Sequence, residues 1–398
     1  MIRRLPGLVL VAALGGLAAW LWQADLPPRV PHLAARAVFT PAQIHRASDY
    51  REPQYLLAVV ALVLGPAAGL AWARWGRTCA PRRLPPAAAG GVAAAVAATV
   101  AAAALIPLGY VDHVRAVNAG LDLRSTAAWA RDAAVGLAAW AAGVAVAYTV
   151  CLAIGRRARE PWLAVGVTAW IAVAAFVLVQ PLAVDPLFAS TRPLHDPALR
   201  TLVRSVEHQV GARPGSVSVS DASSRTTEEN AFVDGVGPTE RLVLYDTVLR
   251  KAAPDQTRAL LAHELAHVKR RHTLKGVLWF GVLGLPALWA VLAVAGRAAR
   301  RRGFDVLDPR AAPLVVAGLL VAAALLTPVE NAISRRYEAE ADWVALRATG
   351  DGAGIAALQK RLALADLSNP DPPGWAVTLL FDHPPVMERI AVARSPGY

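Results

Sequence analysis

The chain carries only two cysteines, Cys79 and Cys151. Neither has a partner at metal-ligand spacing, so a disulfide framework and a cysteine-built zinc site are both excluded. Charge is scarce as well. Asp, Glu, Lys and Arg make up 18% of 398 residues against 56% hydrophobic, and mean hydropathy is +0.40. Those values exclude an ordinary soluble domain and a disordered chain. Acidic residues are the rarer sign, 29 against 41 basic, for a net charge of +12. The excess does not point to nucleic acid. It sits in short connections between apolar runs: Arg74, Arg77, Arg82 and Arg83; Arg156, Arg157 and Arg159; Arg297, Arg300, Arg301 and Arg302. Membrane proteins load their cytoplasmic loops in this way.

Long apolar runs are what the sequence does have. Seven read as spanning helices, at about 5–22, 55–72, 87–108, 133–154, 162–184, 276–295 and 311–329. Arg3 and Arg4 precede the first, as in a signal peptide. It lacks a small-x-small cleavage site before Asp25, however, which favours a retained anchor. Trp20, Trp22, Trp72, Trp75 and Trp162 fall at run ends, where indoles anchor helices at the interface. No run carries a charge at its centre, which argues against a transporter.

The pentapeptide His263-Glu264-Leu265-Ala266-His267 lies in a helix-favouring stretch. Residues four apart share a helix face, so the two imidazoles can grip one Zn²⁺ with Glu264 beside them as general base. Two apolar spans follow, and they return the chain to the side it left. The segment Ser334-Arg335-Arg336-Tyr337-Glu338-Ala339-Glu340-Ala341-Asp342 therefore lies on the same membrane face as the His pair. A catalytic zinc needs a third protein ligand and one open position. Glu338 supplies the ligand, with Glu340 and Glu330 as rivals on that helix. Asp342 shares the face of Glu338 and can accept the free N–H of a ligating His. His272 reads as an interfacial residue.

The polar stretch 185–275 is predicted to fold with residues 330–398. A helix is expected over 197–210, strands over 216–220, 230–234 and 241–245, and a short helix over 247–253. Asp255 is expected to cap the motif helix. Further helices are expected over 331–349, 351–367 and 384–392. An extended peptide could pair with the edge of such a sheet.

Together these residues resemble the integral-membrane zinc metalloproteases of the CAAX prenyl protease type. The second segment matches that family's S-R-x-x-E-x-x-A-D pattern, which selects Glu338 as ligand and places Asp342 behind it. The resemblance extends to Asp382-His383-Pro384-Pro385-Val386-Met387-Glu388-Arg389. It implies that His383 stabilises the tetrahedral intermediate, with Arg389 supporting nearby. It also implies that Asn230 and Ala231 belong to a substrate-edge strand.

The expected fold is mainly α and polytopic, with about seven membrane helices. A zincin-like α+β protease domain would form from the loop between helices 5 and 6 and the C-terminal segment. Residues 1–184 would form the membrane half and 185–398 the protease half, including spans 276–295 and 311–329. The expected activity is that of a gluzincin-type endopeptidase with one Zn²⁺ per chain. It would cut membrane-associated or CAAX-like polypeptides, lipidated or not, through a zinc-activated water in a bacterial plasma membrane. The alternative is a non-catalytic zinc protein that binds or senses a lipidated ligand. The charge pattern places the His pair outside the cytoplasm; the resemblance implies the cytoplasmic face.

Overall fold

In the computed structural model, residues 5–27, 32–76 and 79–395 are described. Arg3, Arg4 and Arg77 lie outside them. The helices in chain order are α1 (Leu5–Leu21), α2 (Pro41–Trp75), α3 (Pro86–Ala103), α4 (Ile106–Ala119), α5 (Thr126–Gly155), α6 (Pro161–Ala183), α7 (Pro197–Val210), α8 (Asp246–Lys251), α9 (Pro254–Arg270), α10 (His272–Trp279), α11 (Leu285–Arg301), α12 (Ala312–Thr349), α13 (Gly352–Ala365), α14 (Gly374–Leu380) and α15 (Val386–Ala393). A π-helical turn, Phe280–Gly284, joins α10 to α11. Among the described residues, six helical segments are long and apolar enough to cross a membrane. The first expected span, α1, is a shorter helix of 17 residues.

Several boundaries differ from the sequence reading. The run 87–108 ends early: α3 stops at Ala103, and a separate helix, α4, follows from Ile106 to Ala119. The expected span 55–72 begins earlier, because residues 41–54 belong to the same helix α2. Thr40 opens that helix with a capping box shared with Gln43. The helix expected at 331 does not begin there. It continues the membrane span without a break as α12, 38 residues long. At 1.5 Å per residue α12 is about 57 Å, enough to cross a bilayer core and enter the protein beyond it.

Four strands, β1 (Thr191–Pro193), β2 (Ser216–Ser220), β3 (Ala231–Asp234) and β4 (Arg241–Tyr245), form one sheet in the order β1-β2-β4-β3. β2 and β4 are parallel; β1 and β3 pair antiparallel at the two edges. β1 escaped the sequence reading because three exposed residues offer no alternation. Leu242, Val243 and Leu244 of β4 are fully buried. Their strand packs in a core shared with Val206 of α7, Leu261 and Leu265 of α9 and Leu346 of α12.

The membrane half and the sheet are tied together. The 120–125 connection lies along 222–227: Leu123 N–H donates to Arg225 O (2.9 Å) and Thr227 N–H to Leu121 O (3.1 Å). Behind this clamp Asp132 of α5 accepts from Arg225 (2.5 Å) and Arg124 (3.2 Å). At the other end of the bundle the arginine-rich connections meet, with Arg156 donating to Leu307 O and Arg302 to Ala73 O.

Candidate active site

Helix α9 carries the motif. It starts at Pro254 after Ala253, whose N–H donates to the Gln256 side chain (3.2 Å). Asp255 therefore lies in the first turn and is not the cap. Proline at the first helical position explains the shift, since its fixed φ suits N1 and it has no N–H to lose. His263 and Glu264 are buried, as are Glu338 and Asp342 on α12. The α9–α12 contact therefore brings the two distant sequence segments face to face.

His263 Nε2 lies 3.2 Å from Glu338 Oε2, and His267 Nε2 lies 3.4 Å from Glu338 Oε1. The two Nε2 atoms are 3.2 Å apart. One ligand atom from each of the three residues falls within 4.8 Å of the others. The opposite ring edges decide the tautomers. His263 Nδ1 is 2.9 Å from Asp342 Oδ1, so that edge carries the proton and Nε2 presents a lone pair. Glu338 Oε2 is buried with no hydrogen-bond partner of its own. Lone pairs thus converge on one point, an arrangement that repels itself unless a cation sits between them. The three residues fit a tetrahedral metal with one position open.

Asp342 is anchored in turn. Arg389 of α15 donates to both its oxygens at 2.8 Å. His383 enters from the opposite side, half exposed, with Nε2 3.3 Å from Glu338 Oε2 and Nδ1 2.9 Å from Asp382. Burial pushes the Glu264 carboxyl up to about 7 and the His267 imidazole down to about 3. Burial also opposes charge on His263, but the Asp342 and Glu338 carboxylates outweigh it and raise its value to about 10, so Nε2 gives up a proton when a metal takes its place. For His383 burial is outweighed by Asp382, and its value rises.

A cavity of about 1620 Å³ opens from this point. Asn230 and Ala231, at the start of edge strand β3, line it beside His263 and Glu264. Its far wall is apolar, with Trp140, Phe176, Phe280, Leu288 and Leu319.

Residues 193–396 match the model of peptidase family M48. The chain belongs to that family. It is a multi-pass membrane metalloprotease of the CAAX protease-like kind, acting on peptide or protein substrates. It is 26% identical over 304 residues to the uncharacterized metalloprotease YhfN of Bacillus subtilis, covering 73% of this chain and 70% of YhfN. Against the CAAX prenyl protease 1 of Saccharomyces cerevisiae it is 25% identical, covering 72% and 67%. It spans 56% of the length of the rice CAAX prenyl protease 1 homolog, at 26% identity over 58% of this chain. The crystal structure of S. mikatae Ste24p superposes with a TM-score of 0.75 at 18% identity over 97% of both chains, which establishes the fold.

His272 departs from its expected place at the membrane interface. It is buried, not interfacial. Its ring stacks on Tyr337 (centroids 4.6 Å, interplanar angle 6°) and contacts His267. The available signal was a histidine five residues past His267, at the head of an apolar span.

Proposed function

We propose that the chain is a zinc-dependent, gluzincin-type endopeptidase. It would cut membrane-associated or CAAX-like polypeptides in a bacterial plasma membrane. The convergence of the His263, His267 and Glu338 lone pairs on one point, with Glu264 beside them, carries this reading. His263, His267 and Glu338 hold the ion. Bound there, zinc acts as a Lewis acid toward the scissile carbonyl and acidifies a water. Glu264, whose buried carboxyl is poised near neutrality, takes the proton and delivers it to the leaving amine. His383, half exposed at the rim of the site with its Nδ1 held by Asp382, donates its Nε2–H to the developing oxyanion. Asp342 and Arg389 hold His263 in its tautomer.

Residues 185–398 form the protease unit in this reading, with the 120–125 clamp setting the position of β3. A substrate strand adds to the free edge of β3 at Asn230 and Ala231. The cavity exceeds the usual size of a small-molecule site, roughly 300–1,000 Å³. Its apolar wall suits a hydrophobic or lipid-bearing segment.

The test is cleavage of a mixed peptide library by the purified protein in detergent, beside Glu264→Gln and a chelated sample. Cleavage lost in both, by about 10²–10⁴-fold in the mutant, is expected. Stoichiometric zinc without cleavage, even of lipidated peptides, would instead indicate a non-catalytic zinc protein that senses a lipidated ligand.

A further inference from the structure

The two histidines of the motif are supported differently. At the Nδ1 edge, His263 meets a carboxylate directly, through Asp342. His267 does not. Its Nδ1 lies 2.9 Å from Nδ1 of His272, and His272 Nε2 lies 3.1 Å from Glu340 Oε2. Glu340 is 2% exposed and is itself held by Arg270 Nε (3.0 Å), the Asp25 N–H (2.9 Å) and Lys275 Nζ (3.7 Å).

We propose that His272 and Glu340 are positioning residues that orient His267 as a metal ligand through a directed hydrogen-bond chain. The polarity of the chain follows from its ends. Glu340, ringed by cations, accepts; His272 Nε2 must then donate, leaving Nδ1 as an acceptor. His267 Nδ1 donates to it, which leaves the Nε2 lone pair free toward Glu338. Each link permits one tautomer. The His267 ring is thereby fixed in the state a metal requires, and the remote carboxylate makes its nitrogen a stronger donor.

The backbone is built to allow this contact. Residues five apart on a continuous α-helix point about 140° from each other, given 3.6 residues per turn. Arg271 breaks the helix in the left-handed region, with φ 54° and ψ 43°. A non-glycine residue rarely sits there. The break starts α10 in a new direction and returns His272 onto His267. Tyr337 then locks the His272 ring from one face, with its hydroxyl donating to Leu21 O (2.7 Å) and accepting from Trp279 Nε1 (2.8 Å).

This inference rests on the metal site proposed above, and the test separates the two. Zinc affinity is measured on the full-length protein in detergent by chelator competition, without substrate, for wild type, His272→Ala, His272→Asn and Glu340→Gln. Melting of each metal-free protein is recorded alongside. A 10–100-fold weaker zinc affinity is expected for His272→Ala. His272→Asn keeps an acceptor for His267 but cannot reach Glu340, so it should match Glu340→Gln at an intermediate loss. The double variant His272→Asn/Glu340→Gln should be no worse than either single one. Co²⁺ bound to the variants should show an altered d–d spectrum. Affinity and spectrum within twofold of wild type for both His272→Asn and Glu340→Gln would overturn the proposal. So would lowered melting of the metal-free protein with unchanged affinity, which marks a merely structural role. Should His272→Ala fail to fold, the two milder variants decide alone. Wild type that binds no zinc would sink the metal site itself.

Discussion

Asp342→Ala is the sharpest probe of the other side of the site. Asp342 is 4% exposed and accepts three hydrogen bonds, two from Arg389 at 2.8 Å and one from His263 at 2.9 Å. Its removal strands a buried guanidinium, and breaking such a pair costs about 3–5 kcal/mol. Glu338 Oε2, 4.0 Å from Arg389 Nη2, offers a fallback, which places the loss near the lower end. A loss of about 3 kcal/mol in a chain this long lowers the melting temperature by about 4 °C. His263 also loses its acceptor, so zinc should bind about 10–100-fold more weakly. The double replacement Asp342→Leu/Arg389→Met separates the two effects. It removes the stranded charge and should recover most of the stability, while zinc affinity stays low because His263 still lacks its acceptor. Thermal unfolding with and without chelator, and zinc competition, read both quantities. If Asp342→Ala melts within 1 °C of wild type and binds zinc normally, the supporting role assigned to this carboxylate is wrong. Recovery of zinc affinity in the double variant would refute the link between Asp342 and ligand orientation.

Asp366 offers a test of pH dependence away from the metal. Burial, aided by the charge of Glu228, pushes its carboxyl up to about 7, and its Oδ1 has no partner. The folded protein thus holds a proton that the unfolded chain releases near pH 4, so stability falls as pH rises from about 4 through 7. Asp366→Asn should stabilise by about 1–2 kcal/mol at pH 8, after allowance for partial exposure, with the gain shrinking toward pH 5. An equal gain at both pH values would contradict the charge argument. Topology is open to a labelling experiment. Site-side arginines such as Arg124, Arg225, Arg241 and Arg270 are paired with carboxylates, whereas Arg157, Arg159, Arg300 and Arg301 at the opposite end are exposed. By the charge rule that end faces the cytoplasm. A membrane-impermeant maleimide should then reach Thr201→Cys in intact cells and the exposed Cys79 only after permeabilisation. The reverse pattern would put the site on the cytoplasmic face.

Sequence alone determined the parts whose signal is local. Apolar runs announced the spans because lipid imposes a length and excludes charge. The strands β2, β3 and β4 were legible, β2 from its alternation of Val with Ser. That a carboxylate of the 330–340 stretch meets His263 and His267 followed from helical spacing and from two spans that return the chain to one face; the choice of Glu338 over Glu340 and Glu330 followed from the resemblance to the S-R-x-x-E-x-x-A-D pattern. Tertiary structure alone decided what depends on contacts between distant segments. Whether 311–349 is one helix or two turns on continuity across Pro328, which the periodicity does not report. The clamp of 120–125 on 222–227, and with it the placement of β3, joins segments about a hundred residues apart through backbone groups that every sequence has. His272 faces the site only because Arg271 adopts a left-handed conformation that its residue type disfavours. Such a choice is made by packing around Tyr337 and Glu340, and no window of sequence around His272 contains either.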